Sequence, residues 1–224
     1  ELPAPDAAPR LAFVFSGQGP QWYAMGRELL AQEPVFRARM DECEALIRAA
    51  TGWSLLAELS VDEAASRLHQ TEVAQPALFA IQVSLAALWA AWGVRPGAVV
   101  GHSVGEIAAL QVAGVLSLAE AVRVVCLRAR VMQQATGHGR MAAVDCSAAE
   151  AEALLAPFGE RLSLAALNAP RSVVLSGEPA ALDEALNALA SRGVHHRLLP
   201  VNYAFHSAQM APLQRELVAR LGEV

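Results

Sequence analysis

Short apolar runs alternate with longer segments of helical period through the first 134 residues of the chain. The helical segments carry apolar residues three or four positions apart, whereas the strand segments are short and continuously apolar. The pattern predicts a strand at 11–15, helices over 21–32, 35–50, 77–92 and 117–134, and strand, turn and helix in succession over 96–116. Such alternation is typical of an α/β domain built on a parallel sheet.

The rhythm changes from residue 140 onward. Strands are predicted at 140–146, 162–168, 172–177 and 195–201, and helices at 148–158 and 180–192. This β-α-β-β-α-β order is that of the ferredoxin-like split unit. We therefore predict an α/β fold in which a large subdomain, residues 11–138 and 202–224, carries an inserted ferredoxin-like subdomain at 139–201.

The two ends of the chain suggest that it is part of something longer. Residues 1–10, ELPAPDAAPR, have the proline- and alanine-rich composition of a linker. A last helical pattern at 215–221 runs almost to the end, so little sequence remains to complete the large subdomain after residue 201. We expect the C-terminal part of that subdomain to be missing, and the chain to be a piece of a larger protein.

The composition argues against several classes of protein. A net charge of −5 provides no positive field for nucleic acid. The apolar runs are interrupted well short of about 20 residues, so no membrane span is predicted. The three cysteines are far apart and form no CxxC pair, which favours a reducing cytoplasm and argues against zinc. We expect a soluble cytoplasmic domain without a metal.

The stretch GHSVG, residues 101–105, lies between a predicted strand and a predicted helix. A G-x-S-x-G sequence in this context is typical of a nucleophile elbow, in which the glycines permit a sharp turn that exposes the serine. The backbone N–H of Val104 would then lie at the positive end of a helix, where an oxyanion is stabilised. The alternative is a glycine-rich turn in which Ser103 caps the helix.

A serine nucleophile needs a base and oxyanion donors. Of the six histidines, His206 lies where the small subdomain ends and a cleft between domains is expected; the alternative is a turn histidine without a catalytic role. The turn Gly17-Gln18-Gly19 follows the first strand and lies at the same carboxyl edge of the sheet as Ser103. Its N–H groups can supply a second oxyanion donor, or it is a turn and nothing more.

Arg128 is the most informative residue by periodicity. The helix predicted over 117–134 has an apolar stripe formed by Leu118, Ala121, Val122, Val125, Ala129 and Met132. Arg128 falls on this stripe, and a charge that faces a core must meet an anion because burying it alone is costly. The pattern leaves three alternatives open: a structural pair with an internal acid, a side chain that extends out to solvent, or a clamp for a substrate carboxylate.

Six features in a fixed order resemble one known family. They are FVFSGQGPQW at 13–22, QPALFA at 75–80, GHSVGE at 101–106, Arg128, GRMAAV at 139–144 and YAFHS at 203–207. Together they resemble the acyltransferase domain of modular type I polyketide synthases, which is related to malonyl-CoA:acyl carrier protein transacylases. The resemblance runs from residue 11 to the end, and it implies that the large subdomain is α/β-hydrolase-like.

The resemblance also implies a role for each candidate residue. Ser103 attacks the thioester of an acyl-CoA with His206 as base, and the N–H groups of Gln18 and Val104 form the oxyanion hole. Arg128 holds the free carboxylate of a malonyl-type group.

The same resemblance implies the partners. The acyl group then passes to the phosphopantetheine thiol of an acyl carrier protein, with no permanently bound cofactor. Residues 1–10 correspond to the connection from a neighbouring ketosynthase domain. In the family the large subdomain continues for several dozen residues beyond the histidine and carries a polar group that orients the imidazole; that tract is absent here.

The extender unit is predicted from the residues around His206. In the family, HAFH accompanies malonyl selection and YASH accompanies methylmalonyl selection, and this chain has Tyr203-Ala204-Phe205-His206. A phenyl ring at Phe205 should crowd a methyl on the substrate α-carbon, and methylmalonyl-selecting members usually have Gln where this chain has Val104. We therefore expect malonyl to be preferred. The rival functions are a serine hydrolase of thioesterase type and a non-catalytic docking fragment of a synthase.

Overall fold

The structure, a computed structural model, describes residues 11–222. The predicted linker at 1–10 lies outside the described residues. The described chain divides into two compact units, residues 11–130 and 131–222. The predicted limits of the subdomains, including the return of 202–224 to the large one, stay a prediction.

The first unit contains two strands and a set of helices around them. They are β1 (Ala12–Phe15), α1 (Arg27–Gln32), α2 (Pro34–Thr51), α3 (Leu55–Ser60), α4 (Thr71–Ala91), β2 (Ala98–Gly101), α5 (Gly105–Val112) and α6 (Leu118–Gln133). A short 3₁₀ turn at Glu63–Ala65 joins α3 to the segment before α4. The α/β character predicted for this half is confirmed.

The two strands of the first unit pair in parallel, with Ala12 opposite Ala98 and Phe15 opposite Gly101. One face of the pair contributes Phe15 to a core of buried helical side chains. The other face carries the cross-strand neighbours Val14 and Val100, which are 74% and 54% exposed. Parallel sheets are normally covered on both faces. In the first unit the face that carries Val14 and Val100 is not covered.

Helix α4 is the central helix of that core. It is 21 residues long and, within the described chain, the one helix whose length and apolar composition would allow it to cross a membrane, yet 67% of its most apolar window is buried inside the protein. Its buried side chains include three polar ones, Thr71, Gln75 and Ser84. We therefore assign α4 as the core helix of a globular unit.

Two helix starts and one additional helix in the first unit differ from the prediction. Helix α1 begins at residue 27 rather than 21 because Ala24 and Gly26 adopt left-handed backbone conformations, with φ of 67° and 80°. Helix α4 begins at Thr71, six residues before the predicted start, and continues through Pro76. Helix α3 was not predicted, although Ser54 caps it by accepting a hydrogen bond from the N–H of Ala57 at 3.1 Å.

The second unit has the predicted β-α-β-β-α-β order. Its elements are β3 (Arg140–Val144), α7 (Ala148–Leu155), β4 (Leu162–Ala169), β5 (Ser172–Gly177), α8 (Pro179–Ser191), β6 (His196–Leu198) and α9 (Ala211–Leu221). The four strands form one antiparallel sheet in the order β4-β5-β3-β6. This order is that of a ferredoxin-like sheet, and the prediction of that unit is confirmed.

Two proline residues explain the differences in the second unit. Helix α7 ends at Leu155 and gives way to a 3₁₀ segment, Ala156–Arg161, because Pro157 lacks the N–H that an α-helix needs. Strand β6 ends at Leu198, since Pro200 cannot donate a hydrogen bond to the neighbouring strand. The core of this unit lies between the sheet and its helices, with Val144, Leu175 and Leu182 fully or almost fully buried.

Candidate active site

Ser103 occupies a tight turn between β2 and α5, as the elbow prediction requires. Its φ is +54°, a left-handed conformation that is rare outside glycine. Val104 follows with helical dihedral angles and caps α5, so its N–H belongs to a helix N-terminus, where partial positive charge accumulates. Strain of this kind is held in place at functional sites, whereas a simple capping serine would be extended.

Two glycines let the turn after β1 pack directly on this elbow. A Cβ added to Gly105 would overlap the backbone oxygen of Phe15 and lie 2.6 Å from that of Ser16. A Cβ on Gly17 would lie 2.8 Å from the ring Nδ1 of His102. The N–H of His102 also donates to the oxygen of Phe15 at 2.9 Å. The Gly17-Gln18-Gly19 turn therefore lies against the serine turn, as predicted from the shared edge of the sheet.

Arg128 meets the elbow from α6. Its Nη2 donates to Ser103 Oγ at 3.1 Å, and its Nη1 donates to Gln75 Oε1 at 2.6 Å. Burial lowers the pKa of Arg128 to about 10, and the negative charge of Glu106 opposes that shift. At neutral pH the guanidinium is therefore a poorly hydrated cation beside the candidate nucleophile. The other arginines of this helix, Arg123 and Arg130, are exposed.

A chain of amide groups extends from Arg128 back to the turn after β1. Gln75 Nε2 donates to Gln18 Oε1 at 3.0 Å, and Gln18 Nε2 donates to Thr71 Oγ1 at 3.2 Å. A guanidinium can only donate, so it fixes which end of the Gln75 amide faces it, and Gln75 in turn fixes the Gln18 amide. We call this series Thr71–Gln18–Gln75–Arg128 the amide relay. It connects the candidate carboxylate clamp to the candidate oxyanion residue.

Gln75 and Thr71 are functional candidates that the sequence patterns did not identify. Both are 1% exposed, on a helix whose buried positions are otherwise almost all apolar. A buried amide among apolar residues requires a polar partner, because an unpaired one costs free energy. That signal would have been visible once α4 was predicted to begin at Thr71 rather than after Pro76.

His206 lies in the second unit, in the turn that precedes α9. It is exposed and has a φ of +59°. Among residues 11–222 only three non-glycine residues have positive φ, and Ser103 and His206 are two of them. Backbone strain concentrates where the surrounding structure has a reason to impose it. Among the histidines of residues 11–222, His206 therefore stands apart by its strained backbone.

The two candidate specificity residues flank Ala204 in the same turn. The rings of Tyr203 and Phe205 are stacked, with centroids 3.7 Å apart and planes 15° from parallel. They are 9% and 5% exposed and belong to a cluster with Met132, Met141 and Val174. The structure thus brings Gln18, Ser103, Val104 and Arg128 together in the first unit, and Tyr203, Phe205 and His206 together in the second.

Competing chemistry finds little support in the described residues. Burial raises the pKa of the Cys43 and Cys126 thiols to about 12, so both are protonated and poorly nucleophilic at neutral pH. Over residues 11–222 there is no group of three or more His, Cys, Asp or Glu side chains that could hold a metal ion. A recess of about 340 Å³ lies elsewhere in the first unit, and none of the candidate residues lines it.

Comparison with known proteins identifies the family of this chain. Residues 12–224 match the model of the acyl transferase domain family. The chain is 48% identical over 215 residues to the spectinabilin polyketide synthase system protein NorA of Streptomyces orinoci, covering 96% of this chain and 11% of that protein. It is 46% identical over 211 residues to the erythronolide synthase EryA3 of Saccharopolyspora erythraea, covering 94% of this chain and 7% of that protein.

Solved structures show the same fold. The acyltransferase domain from module 8 of the salinomycin polyketide synthase superposes with a TM-score of 0.90 at 44% identity, over 94% of this chain and 50% of that one. The malonyl CoA-acyl carrier protein transacylase FabD of Coxiella burnetii gives 0.85 at 34% identity, over 94% of this chain and 67% of that one. The chain therefore belongs to the acyl transferase domain family. It spans a small part of the synthases and half of the solved salinomycin chain.

Proposed function

We propose that this chain transfers a malonyl-type extender group from CoA to the phosphopantetheine thiol of an acyl carrier protein, through an acyl-Ser103 intermediate, in polyketide biosynthesis. One observation carries the proposal: a poorly hydrated guanidinium, that of Arg128, donates to the Oγ of a strained elbow serine at 3.1 Å. A fixed cation beside the nucleophile suits an acyl donor that carries its own free carboxylate.

The reaction has two transfers. In the first, Ser103 Oγ attacks the thioester carbonyl and gives its proton to the imidazole of His206. The C–S bond then breaks, and the CoA thiolate leaves with that proton. In the second, the phosphopantetheine thiol gives its proton to His206 and attacks the acyl-serine. The C–O bond breaks, and Ser103 recovers the proton. The N–H groups of Gln18 and Val104 stabilise both tetrahedral oxyanions.

Arg128 supplies selection for the charged donor. In the absence of substrate its Nη2 donates to Ser103 Oγ, and this bond makes that oxygen less nucleophilic because it draws on one of its two lone pairs. A malonyl carboxylate accepts hydrogen bonds from both guanidinium nitrogens. These bonds are stronger than a bond to a neutral hydroxyl, because they are charge-assisted. Binding of the malonyl carboxylate to Arg128 thus replaces the hydrogen bond between Arg128 and Ser103, and the serine oxygen becomes available for attack. An acetyl group has no carboxylate and cannot replace that bond.

Malonyl is the extender unit that the residues before His206 favour. Phe205 is a bulky ring one residue from the proposed base, and its stacking on Tyr203 restricts its movement. A methyl on the substrate α-carbon is expected to meet this ring. One methyl group contributes only about 1–3 kcal/mol of discrimination, so some methylmalonyl transfer should accompany malonyl transfer.

The proposed partners follow from the chemistry. The donor is an acyl-CoA and the acceptor is a carrier protein, so the domain needs no permanently bound cofactor. A ketosynthase is the neighbour expected in a multifunctional synthase, and the cytoplasm is the expected compartment.

Intact-protein mass spectrometry tests this proposal. The protein is incubated with an equimolar mixture of malonyl-CoA and methylmalonyl-CoA, and the adduct is mapped by peptide fragmentation. We expect a malonyl mass on Ser103, a minor methylmalonyl mass, and neither in Ser103→Ala. A stable malonyl adduct on Ser103→Ala would disprove the nucleophile, and no adduct on either protein would favour a docking fragment.

A further inference from the structure

We propose that Gly139 is a positioning residue for His206, because its lack of a side chain lets the loop at 137–139 hold the turn at 202–206 in place. This inference rests on the proposed role of His206 as the base. Both segments belong to the second unit. The Gly137-His138-Gly139 sequence has no other part in the proposed reaction.

The approach between the two segments leaves no room for a side chain. Gly139 is buried. A Cβ added to it would overlap the Cβ of Ala204, and would lie 2.6 Å from the backbone nitrogen and 3.0 Å from the Cα of the same residue. Two of these three atoms are backbone, so a rotamer change cannot relieve the overlap. Any side chain at 139 therefore displaces the backbone two residues before His206.

Further contacts hold the same turn. The N–H of Gly137 donates to the oxygen of Asn202 at 2.6 Å, and the hydroxyl of Ser207 donates to the oxygen of Ala204 at 2.6 Å. The rings of Tyr203 and Phe205 stack on each other on either side of the buried Ala204. Three contacts thus fix the backbone at Asn202 and Ala204, and the 137–139 loop supplies two of them.

This fixation matters because His206 is in an unfavourable backbone conformation. A non-glycine residue at a φ of +59° is strained and persists only where its surroundings determine it. The imidazole is exposed, so burial of its own ring does not hold it. The close approach of Gly139 to Ala204 helps to keep the residue in this conformation, and with it the direction in which the imidazole leaves the backbone.

The expected effect of Gly139→Ala follows from the overlap. Real Cβ atoms stay at least about 3 Å from other heavy atoms, so the turn must retreat by roughly 0.5–1 Å. A displacement of about 1 Å in a catalytic group can cost about 100-fold in rate. We expect the acylation rate constant of Ser103 to fall about 10- to 100-fold, with little change in the KM for malonyl-CoA.

The experiment compares Gly139→Ala with Gly193→Ala. Gly193 lies in the same unit at a φ of +69° with nothing within 4 Å of an added Cβ, so its substitution strains the fold without touching the turn. Rates are measured per acylatable serine, with active sites counted by the final extent of malonylation. In wild type and Gly193→Ala the acylation rate should rise with pH in the same way, as expected for catalysis by a general base. In Gly139→Ala most of this increase in rate with pH should be lost.

A second variant distinguishes displacement of the turn at 202–206 from a general loss of folding. In Gly139→Ala/Ala204→Gly the overlapping methyl is removed from the other side, so part of the lost rate and of its increase with pH should return. This double variant also carries the test if the single one does not fold. An unchanged pH–rate profile in Gly139→Ala, or a loss equal to that of Gly193→Ala, would overturn the positioning role. By contrast, a full rate in His206→Ala would overturn the proposed base itself.

Discussion

Replacing Arg128 by alanine should separate charged from uncharged acyl donors. Arg128 donates 2.6 Å to Gln75 and 3.1 Å to Ser103, and burial lowers its pKa to about 10. Keeping the guanidinium charged in this site therefore costs free energy, because burial removes part of its hydration. A bound carboxylate recovers this cost, because it replaces the lost hydration with a charge-assisted pair.

The variant should therefore lose about 2–5 kcal/mol of transition-state stabilisation for malonyl-CoA. That range is equivalent to about 30- to 5,000-fold in kcat/KM. Acetyl-CoA has no carboxylate, so its rate should change by no more than a few-fold. The direction for acetyl should be upward, since Ser103 Oγ no longer accepts a hydrogen bond from the guanidinium.

The assay measures the rate of Ser103 acylation with malonyl-CoA and with acetyl-CoA for wild type, Arg128→Ala and Arg130→Ala. Arg130 is an exposed arginine on the same helix and serves as the matched control. The wild-type preference for malonyl should hold from pH 7 to about 9, where Arg128 is charged, and decline as the pH rises through the pKa of about 10. Equal losses for the two donors in Arg128→Ala would mean that the arginine is structural, and the clamp would be refuted.

Three further substitutions test other parts of the site. His206→Ala should slow acylation by about two to four orders of magnitude in stopped-flow measurements, as expected for a lost general base, and a loss under threefold would contradict that role. Phe205→Ser should shift competition between the two CoA donors toward methylmalonyl, and a wild-type preference for methylmalonyl would refute the steric argument. Gln75→Met, which keeps the volume but breaks the amide relay, should lower the malonyl-to-acetyl ratio about 3- to 30-fold because Arg128 is no longer held. An unchanged ratio with a lower melting temperature would make Gln75 structural only.

The elbow was predictable from the glycines of GHSVG. A glycine at such a position indicates that no side chain fits there, and in the structure a Cβ on Gly105 would overlap the backbone at Phe15. The ferredoxin-like unit was predictable for a similar reason, since the order of its strands and helices determines few topologies. Both features were predictable because a short motif or the order of elements along the chain indicates them, without knowledge of the contact partners.

The features that were missed depend on partners far apart in the chain. Periodicity placed Arg128 on an apolar stripe but left its partner open, because Gln75 is 53 positions away on another helix. The pattern also began α4 after Pro76, which excluded Thr71 and Gln75 from the helix and hid the amide relay. Likewise, the letters YAFHS do not indicate that His206 is left-handed, because a conformation of this kind depends on tertiary packing.

The partition of acyl-Ser103 between a carrier protein and water tests the central claim most directly. Protein pre-loaded with radiolabelled malonyl groups is freed of CoA and mixed with excess phosphopantetheinylated carrier protein in a single turnover. We predict that the label reaches the carrier thiol at least about tenfold faster than it is released as malonate, and that Ser103→Ala delivers none. Release as malonate at the same rate with and without carrier protein would identify a hydrolase and contradict the transfer.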